Sequence, residues 1–248
     1  MVDLFTGCFE GGVYVLPGKK AGGFAEPQKL LDRAGRILRL GQFWNYETKK
    51  WDGVVDSKYA QELGIGVDAV DWDGDGDLDL VIGSSRGRLF LRTNEGTKEK
   101  AAFATDSVEI LGGGAPLRIG GGECIPSVVD WDGDGRFDLV SGSGAGGVWW
   151  VRNVGRAGAP AFEEPRALVE PEPFERGTLR DPRWPGRGTQ ACVTDFDGDG
   201  DLDVLVGDIN EEDSKSTASR ERHGWVWLFR HRNPNTKKTA TNNPTKKK

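Results

Sequence analysis

Much of the usual catalytic repertoire is thin in this chain. Its 248 residues include 1 Met, 2 His, 3 Cys and 3 Tyr. Both histidines, His223 and His231, lie near the C-terminus, so a multi-histidine zinc site is excluded and a Ser-His-Asp triad would depend on one of these two. Cys8, Cys124 and Cys192 form no CxxC pair and are too few for a disulfide framework. They read as small buried hydrophobes. No apolar run approaches the ~18 residues of a membrane-spanning helix, so no membrane span is expected. Residues 1–7 have neither a basic n-region nor an apolar h-region, so no signal peptide is read there.

What is abundant points to strands and turns. There are 37 Gly and 9 Trp in a chain of modest hydrophobicity, and the length suits one large domain or two small ones. The formal charge of -6 is unevenly placed: fourteen of the 39 acidic residues fall in the windows 71–79, 130–138 and 195–203. Outside these windows 32 of the 33 basic residues face 25 acids, and five lysines crowd the last twelve positions. The chain is therefore mildly basic, with three concentrated acidic clusters.

The clusters align without gaps as Asp71-Trp-Asp-Gly-Asp-Gly-Asp-Leu-Asp79, Asp130-Trp-Asp-Gly-Asp-Gly-Arg-Phe-Asp138 and Asp195-Phe-Asp-Gly-Asp-Gly-Asp-Leu-Asp203. Their starts are 59 and 65 residues apart. Each follows a β-branched stretch and precedes a short apolar run ending in Gly83, Gly142 or Gly207. A fourth copy without its loop opens the chain, where Asp3-Leu4-Phe5-Thr6-Gly7 aligns with Asp79-Leu80-Val81-Ile82-Gly83. A period near 60 with strand-like content predicts a stacked array such as a propeller. Each unit reads as a four-strand meander in which the acidic loop joins strands A and B. A Gly-rich turn leads to an aromatic strand C, and a polar Asn-containing turn leads to a weaker strand D within 102–111 or 161–168. The fold class expected is all-β, a β-propeller-like array of about four four-stranded antiparallel blades, the first and last incomplete. Residues 1–232 form this unit and 233–248 a disordered basic tail. Three segments interrupt the period: an insertion at 42–63 with a short helix over 56–63, a Pro- and Arg-rich loop at 169–189, and a charged flexible stretch at 209–222.

Oxygen donors at loop positions 1, 3, 5 and 9 with Gly at 6 suit a hard cation, calcium better than magnesium, because the larger ion takes six to eight oxygens in a flexible shell. Position 7 would offer its carbonyl, which leaves its side chain free and accommodates Arg136. Carboxylates so close together would repel one another without a cation. An EF-hand does not fit: Ile82, Ser141 and Val206 stand where its twelfth-position Glu belongs, and the flanks are β-branched.

These motifs resemble the FG-GAP/VCBS repeat, the blade unit of integrin α-subunit-like β-propellers, over roughly residues 1–232. The resemblance implies three calcium sites on the A–B loops. The side-chain ligands it implies are Asp71, Asp73, Asp75 and Asp79, then Asp130, Asp132, Asp134 and Asp138, then Asp195, Asp197, Asp199 and Asp203. Asp77, Arg136 and Asp201 would contribute backbone carbonyls. It also implies an extracellular or cell-envelope setting, as for secreted bacterial members. The chain has fewer units than the family's closed rings, so truncation, an open arc or self-association covering the open blade edges is expected.

Other motifs read as structural. Gly83-Ser-Ser-Arg-Gly87 has the GxSxG pattern, but a strand follows it and not a helix. Gly142-Ser-Gly-Ala-Gly-Gly147 has the GxGxxG pattern and likewise opens onto a strand. The tail lysines read as solubilising and imply no nucleic acid, and the strand C aromatics read as inter-blade core. Trp184 and the arginines of 179–187 form a surface loop. The function expected is a non-catalytic, calcium-stabilised module that binds protein or glycan. The alternatives are a lectin, or a polysaccharide-acting enzyme drawing on Glu170, Glu172, Asp181, Glu211 or Glu212, which share no recognisable spacing.

Overall fold

Among the described residues there are nineteen β-strands and no helix. The structure is a computed structural model that describes residues 3–8, 12–45, 48–52, 62–171, 184–213 and 220–231. The first sheet contains β1 (Leu4–Gly7), β2 (Val13–Leu16) and β3 (Gln28–Lys29). A separate hairpin, β4 (Phe43–Asn45) and β5 (Lys50–Asp52), precedes the second sheet. That sheet is β6 (Gly64–Val70), β7 (Asp79–Ser84), β8 (Leu89–Arg92) and β9 (Val108–Glu109). A short hairpin, β10 (Leu111–Gly112) and β11 (Ala115–Pro116), leads to the third sheet: β12 (Ile125–Val129), β13 (Asp138–Gly142), β14 (Val148–Val151) and β15 (Arg166–Val169). The fourth contains β16 (Arg187–Thr194), β17 (Asp203–Asp213), β18 (Arg220–His223) and β19 (Val226–Phe229). Pairing is antiparallel throughout the blades, and the middle two are simple A–B–C–D meanders. The first blade begins at strand B and the fourth ends at strand C, as the repeat alignment predicts.

Strand B of the second and third blades is apolar at almost every position because these blades are packed on both faces. In β7, Leu80 and Ile82 join Val13, Leu38 and Phe90 in the core toward the first blade. Val81, between them, joins Leu89, Leu91 and Leu139 in the core toward the third blade. The alternation repeats one blade later, where Leu139 faces back and Val140 faces forward with Val148, Val204 and Val206. Period-two alternation on a strand with two apolar faces produces the continuous Leu-Val-Ile and Leu-Val runs.

The forward face also explains the terminal glycine of strand B. A Cβ on Gly83 would lie 2.2 Å from the Cys124 carbonyl oxygen, and one on Gly142 would lie 2.1 Å from that of Thr189. In both cases the obstruction is the backbone of the next blade at strand A. Polar bridges reinforce the same junctions: the Val128 N–H donates to Asp68 Oδ2 at 2.7 Å, and the Ser127 hydroxyl donates to the Ala191 carbonyl at 3.5 Å. Substantial contact between blades runs only between consecutive ones among the described residues, so the array is not closed.

The structure changes several expectations. The charged stretch 209–222 is not simply a loop: β17 runs on to Asp213 and pairs with β18, with Asn210 opposite His223 and Asp213 opposite Arg220. A strand already held in a sheet extends its ladder more readily than an isolated hairpin forms. The loop placed at 169–189 loses both ends to strands, Val169 to β15 and residues from Arg187 onward to β16. Its centre, 172–183, lies outside the described residues, as do most of the helix expected over 56–63 and the tail at 233–248. Glu62 and Leu63 are irregular. Only Cys124 of the three cysteines is buried; Cys8 is intermediate, and Cys192, on the forward face of the fourth blade, is exposed.

Candidate metal centres

Each acidic loop is a tight coil between the A and B strands. Its first residue organises it: Asp71 accepts N–H bonds from Gly74 and Gly76, at 2.9 and 3.1 Å. Asp130 accepts from Asp134 and Gly135, and Asp195 from Gly198, Asp199 and Gly200. The glycines at loop positions 4 and 6 all have positive φ, 82° and 93° in the first loop, where an L side chain would be strained. Position 5 then accepts the N–H of position 7, from Asp77, Arg136 and Asp201 at 3.0 Å in each loop.

This curl draws the carboxylates at positions 1, 3 and 5 together. Asp71, Asp73 and Asp75 each place an oxygen within 4.8 Å of the others, as do Asp130, Asp132 and Asp134, and Asp195, Asp197 and Asp199. Three hard oxygen donors converging from short side chains fit a divalent cation such as calcium. Asp132 Oδ1 is also buried with no hydrogen-bond partner, an acceptor that a cation would satisfy.

Position 9 stands apart from these triplets. Asp79, Asp138 and Asp203 are buried at the root of the loop. Asp79 Oδ2 accepts the Trp72 N–H at 3.0 Å and Oδ1 the Asn94 N–H at 2.6 Å. Asp203 accepts from Phe196 and His231, and Asp138 from Asn153 and the Trp150 indole. The ninth carboxylate thus pins the loop to the residue two beyond the end of strand C. Asp3 holds Gly18 in the same way at 2.8 Å, which supports its alignment as the ninth position of a unit without a loop. The recurrent asparagines of the C–D turns have a matching role, as Asn94 Oδ1 accepts from Gly96 and Ala102, and Asn153 Oδ1 from Gly155 and Ala161. Burial pushes the Asp79 and Asp138 carboxyls above the ordinary carboxylate range, and it does the same to Asp77, aided by repulsion from Asp75.

The three loops carry different counter-charges. In the second, Arg152 Nε lies 2.6 Å from Asp132, its Nη2 lies 3.3 Å from Asp134, and Arg136 also pairs with Asp134. Hydrogen bonding to Asp132 holds the Arg152 guanidinium above its ordinary range. Arg230 approaches Asp197 of the third loop at 3.4 Å. Arg92, which also ends a strand C, turns instead to the carbonyls of Ala104 and Arg39 and leaves the first loop alone. The loops also touch through their second residues. Trp72 lies 5.4 Å from Phe137 of the second loop, and Trp131 stacks at 4.7 Å on His231, whose N–H holds Asp203 of the third.

The other sequence candidates are dispersed. Ser85, the serine of the GxSxG pattern, lies in the β7–β8 turn, where its hydroxyl accepts the Leu63 N–H at 3.4 Å, while the buried Ser84 ends β7 and accepts the N–H groups of Arg86 and Arg88. Ser143, in the next equivalent turn, donates to the Gly146 carbonyl. Glu170 is exposed beyond β15, Glu211 and Glu212 lie on β17, and Glu172 and Asp181 fall outside the described residues. Trp184 is exposed, and no described helix is long and apolar enough to cross a membrane.

Consecutive antiparallel blades, three of them carrying an aspartate-rich A–B loop, define a β-propeller-like repeat protein. Residues 130–206, from the second acidic loop through strand B of the fourth blade, match the family described as FG-GAP-like repeat. The chain is also 30% identical over 154 residues to cartilage acidic protein 1 of Xenopus tropicalis, an alignment covering 61% of this chain and 21% of that protein. The match therefore spans about a fifth of that relative's length.

Proposed function

We propose that this protein is a non-catalytic binding module in which calcium is a structural ion at each A–B loop, and that the assembled blades present a surface to a protein or glycan outside the cytoplasm. The observation that carries the reading is the convergence of three aspartate oxygens within 4.8 Å in each of three loops. Asp71, Asp73 and Asp75 would hold the first ion, Asp130, Asp132 and Asp134 the second, and Asp195, Asp197 and Asp199 the third. The carbonyls of Asp77, Arg136 and Asp201 and the remaining lone pairs of Asp79, Asp138 and Asp203 would complete the oxygen set. Bound calcium supplies charge neutralisation where carboxylates otherwise repel, and the loop then fixes the A–B crossover of its blade. Extracellular calcium modules bind at about 10⁻⁴–10⁻³ M, which fits exposed loops of this kind. The relative's name, which refers to cartilage, is compatible with such a setting.

The test is thermal unfolding of the chain in EDTA and then in excess calcium. A higher midpoint in calcium, lost when Asp71, Asp130 and Asp195 are all changed to Asn, is the expected result. An identical midpoint with and without calcium rejects the structural-ion reading.

A further inference from the structure

The forward face of the fourth blade repeats the positions that are buried between the earlier blades. In register, Leu205 of β17 stands where Val81 and Val140 stand, and Gly207 where Gly83 and Gly142 stand. On strand C, Val226 corresponds to Leu89 and Val148. Val81, Val140, Leu89 and Val148 are fully buried, whereas Val226 is 75% exposed and Leu228 beside it 36%. The clearest marker is Gly207. Its two counterparts have no room for a Cβ because the next blade's backbone lies against them, yet no described atom lies within 4 Å of a Cβ built on Gly207. Cys192, one strand over and opposite Leu205, is exposed where Asp68 and Ser127 reach across to the next blade.

The opposite end of the array presents the complementary face. In the first blade, Leu4 and Thr6 occupy the places of Leu80 and Ile82, which face back and are buried in the second blade. Leu4 is instead 47% exposed.

We propose that a second copy of this chain docks head to tail here, the back face of its first blade covering the forward face of the fourth. The occupant follows from continuity with the junctions already present. At both inner junctions a forward face bearing this glycine meets the next blade, whose strand B points back with Leu139 in one case and with Val204 and Val206 in the other, and the described residues leave one forward face and one back face uncovered. Such an interface is heterologous and grows into a closed ring or an open series. The inference rests on the blade packing and not on the calcium reading.

The test uses the whole chain in calcium-containing buffer, with oligomeric state read by sedimentation velocity over a range of concentrations. Wild type is expected to associate in a concentration-dependent way, and a monomer at every concentration overturns the proposal. Gly207→Leu fills open space and Leu4→Glu changes an exposed residue, so each should fold with the wild-type circular dichroism spectrum and remain monomeric. Val226→Glu repeats the forward-face arm should Gly207→Leu misfold. Mixing Gly207→Leu with Leu4→Glu should give a one-to-one dimer that grows no further, because each variant retains the face the other has lost. Association that survives in either single variant, or a mixture that stays monomeric, contradicts the head-to-tail assignment.

Discussion

Alanine at Gly83, Gly142 or Gly207 adds the same single methyl group at equivalent places in three blades, yet the structure predicts different outcomes. None of the three has positive φ, so backbone strain does not separate them. The space around each does. The new carbon would sit 2.2 Å from the Cys124 oxygen at Gly83 and 2.1 Å from the Thr189 oxygen at Gly142. A carbon–oxygen contact rests at about 3.3 Å, so each junction would have to open by roughly 1 Å. A gap of that order forfeits about a quarter to a half of the dispersion attraction across the facing cores. The obstructing atom is backbone and cannot rotate away, so the cost belongs near the upper end of overpacking, about 3 kcal/mol. For a chain of this size that lowers the melting midpoint by roughly 6–12 °C. At Gly207 the methyl meets no described atom within 4 Å, and restriction of the unfolded chain should leave stability unchanged or raise it by about 0.5 kcal/mol. Urea unfolding followed by tryptophan fluorescence, in a Leu4→Glu background to suppress association, measures all three. Equal costs at Gly83, Gly142 and Gly207 would refute the assignment of forward and back faces.

Other consequences concern charge and thiol chemistry. Arg152→Gln removes the cation against Asp132 and Asp134, so the second loop should bind calcium more tightly. Solvent screens this exposed pair, so the gain read by calorimetric titration should be modest, no more than about fivefold. Burial holds the Asp68 carboxyl above its ordinary value of 3.8, so the folded state keeps this proton more tightly than the unfolded chain. Its contribution is therefore fully present below that value and is lost as pH rises through the higher folded pKa. Stability measured in EDTA should show this downward slope, and Asp68→Asn should remove it, the difference between the two proteins being the readout. Burial pushes the Cys124 thiol up to about 12. A thiol reagent at neutral pH should accordingly label exposed Cys192 promptly and Cys124 only after unfolding.

The repeat was readable because the acidic loops carry the same residue types at the same spacing three times over. That spacing locates the A–B crossovers and, through them, the strands on either side. The headless first unit was readable for the same reason, and the bond from Gly18 to Asp3 gives its alignment a physical basis. The second role of the ninth aspartate was not readable, because its partners are the backbone N–H groups of Asn94, Asn153 and His231, fifteen to twenty-eight residues away, a donor that nearly any residue type supplies. Glycine at position 4 could have been recognised beside that at position 6, since both recur in every loop and both adopt positive φ. The β17–β18 hairpin was hidden because its charged sequence carries no apolar alternation, and its strand pairing extends a sheet nucleated elsewhere. The glycine closing the apolar run of strand B was visible as a recurrence without a reason, and at Gly83 and Gly142 the reason is that the neighbouring blade's backbone presses there.

The central claim is that each acidic loop is a cation site, and counting bound calcium tests it most directly. Equilibrium dialysis of the chain against calcium near 1 mM, the range of extracellular modules, should give a stoichiometry of three per chain. The count should fall by one with each of Asp71→Asn, Asp130→Asn and Asp195→Asn. A wild-type chain that retains no calcium at that concentration, or whose count is unchanged by all three substitutions, would contradict the account.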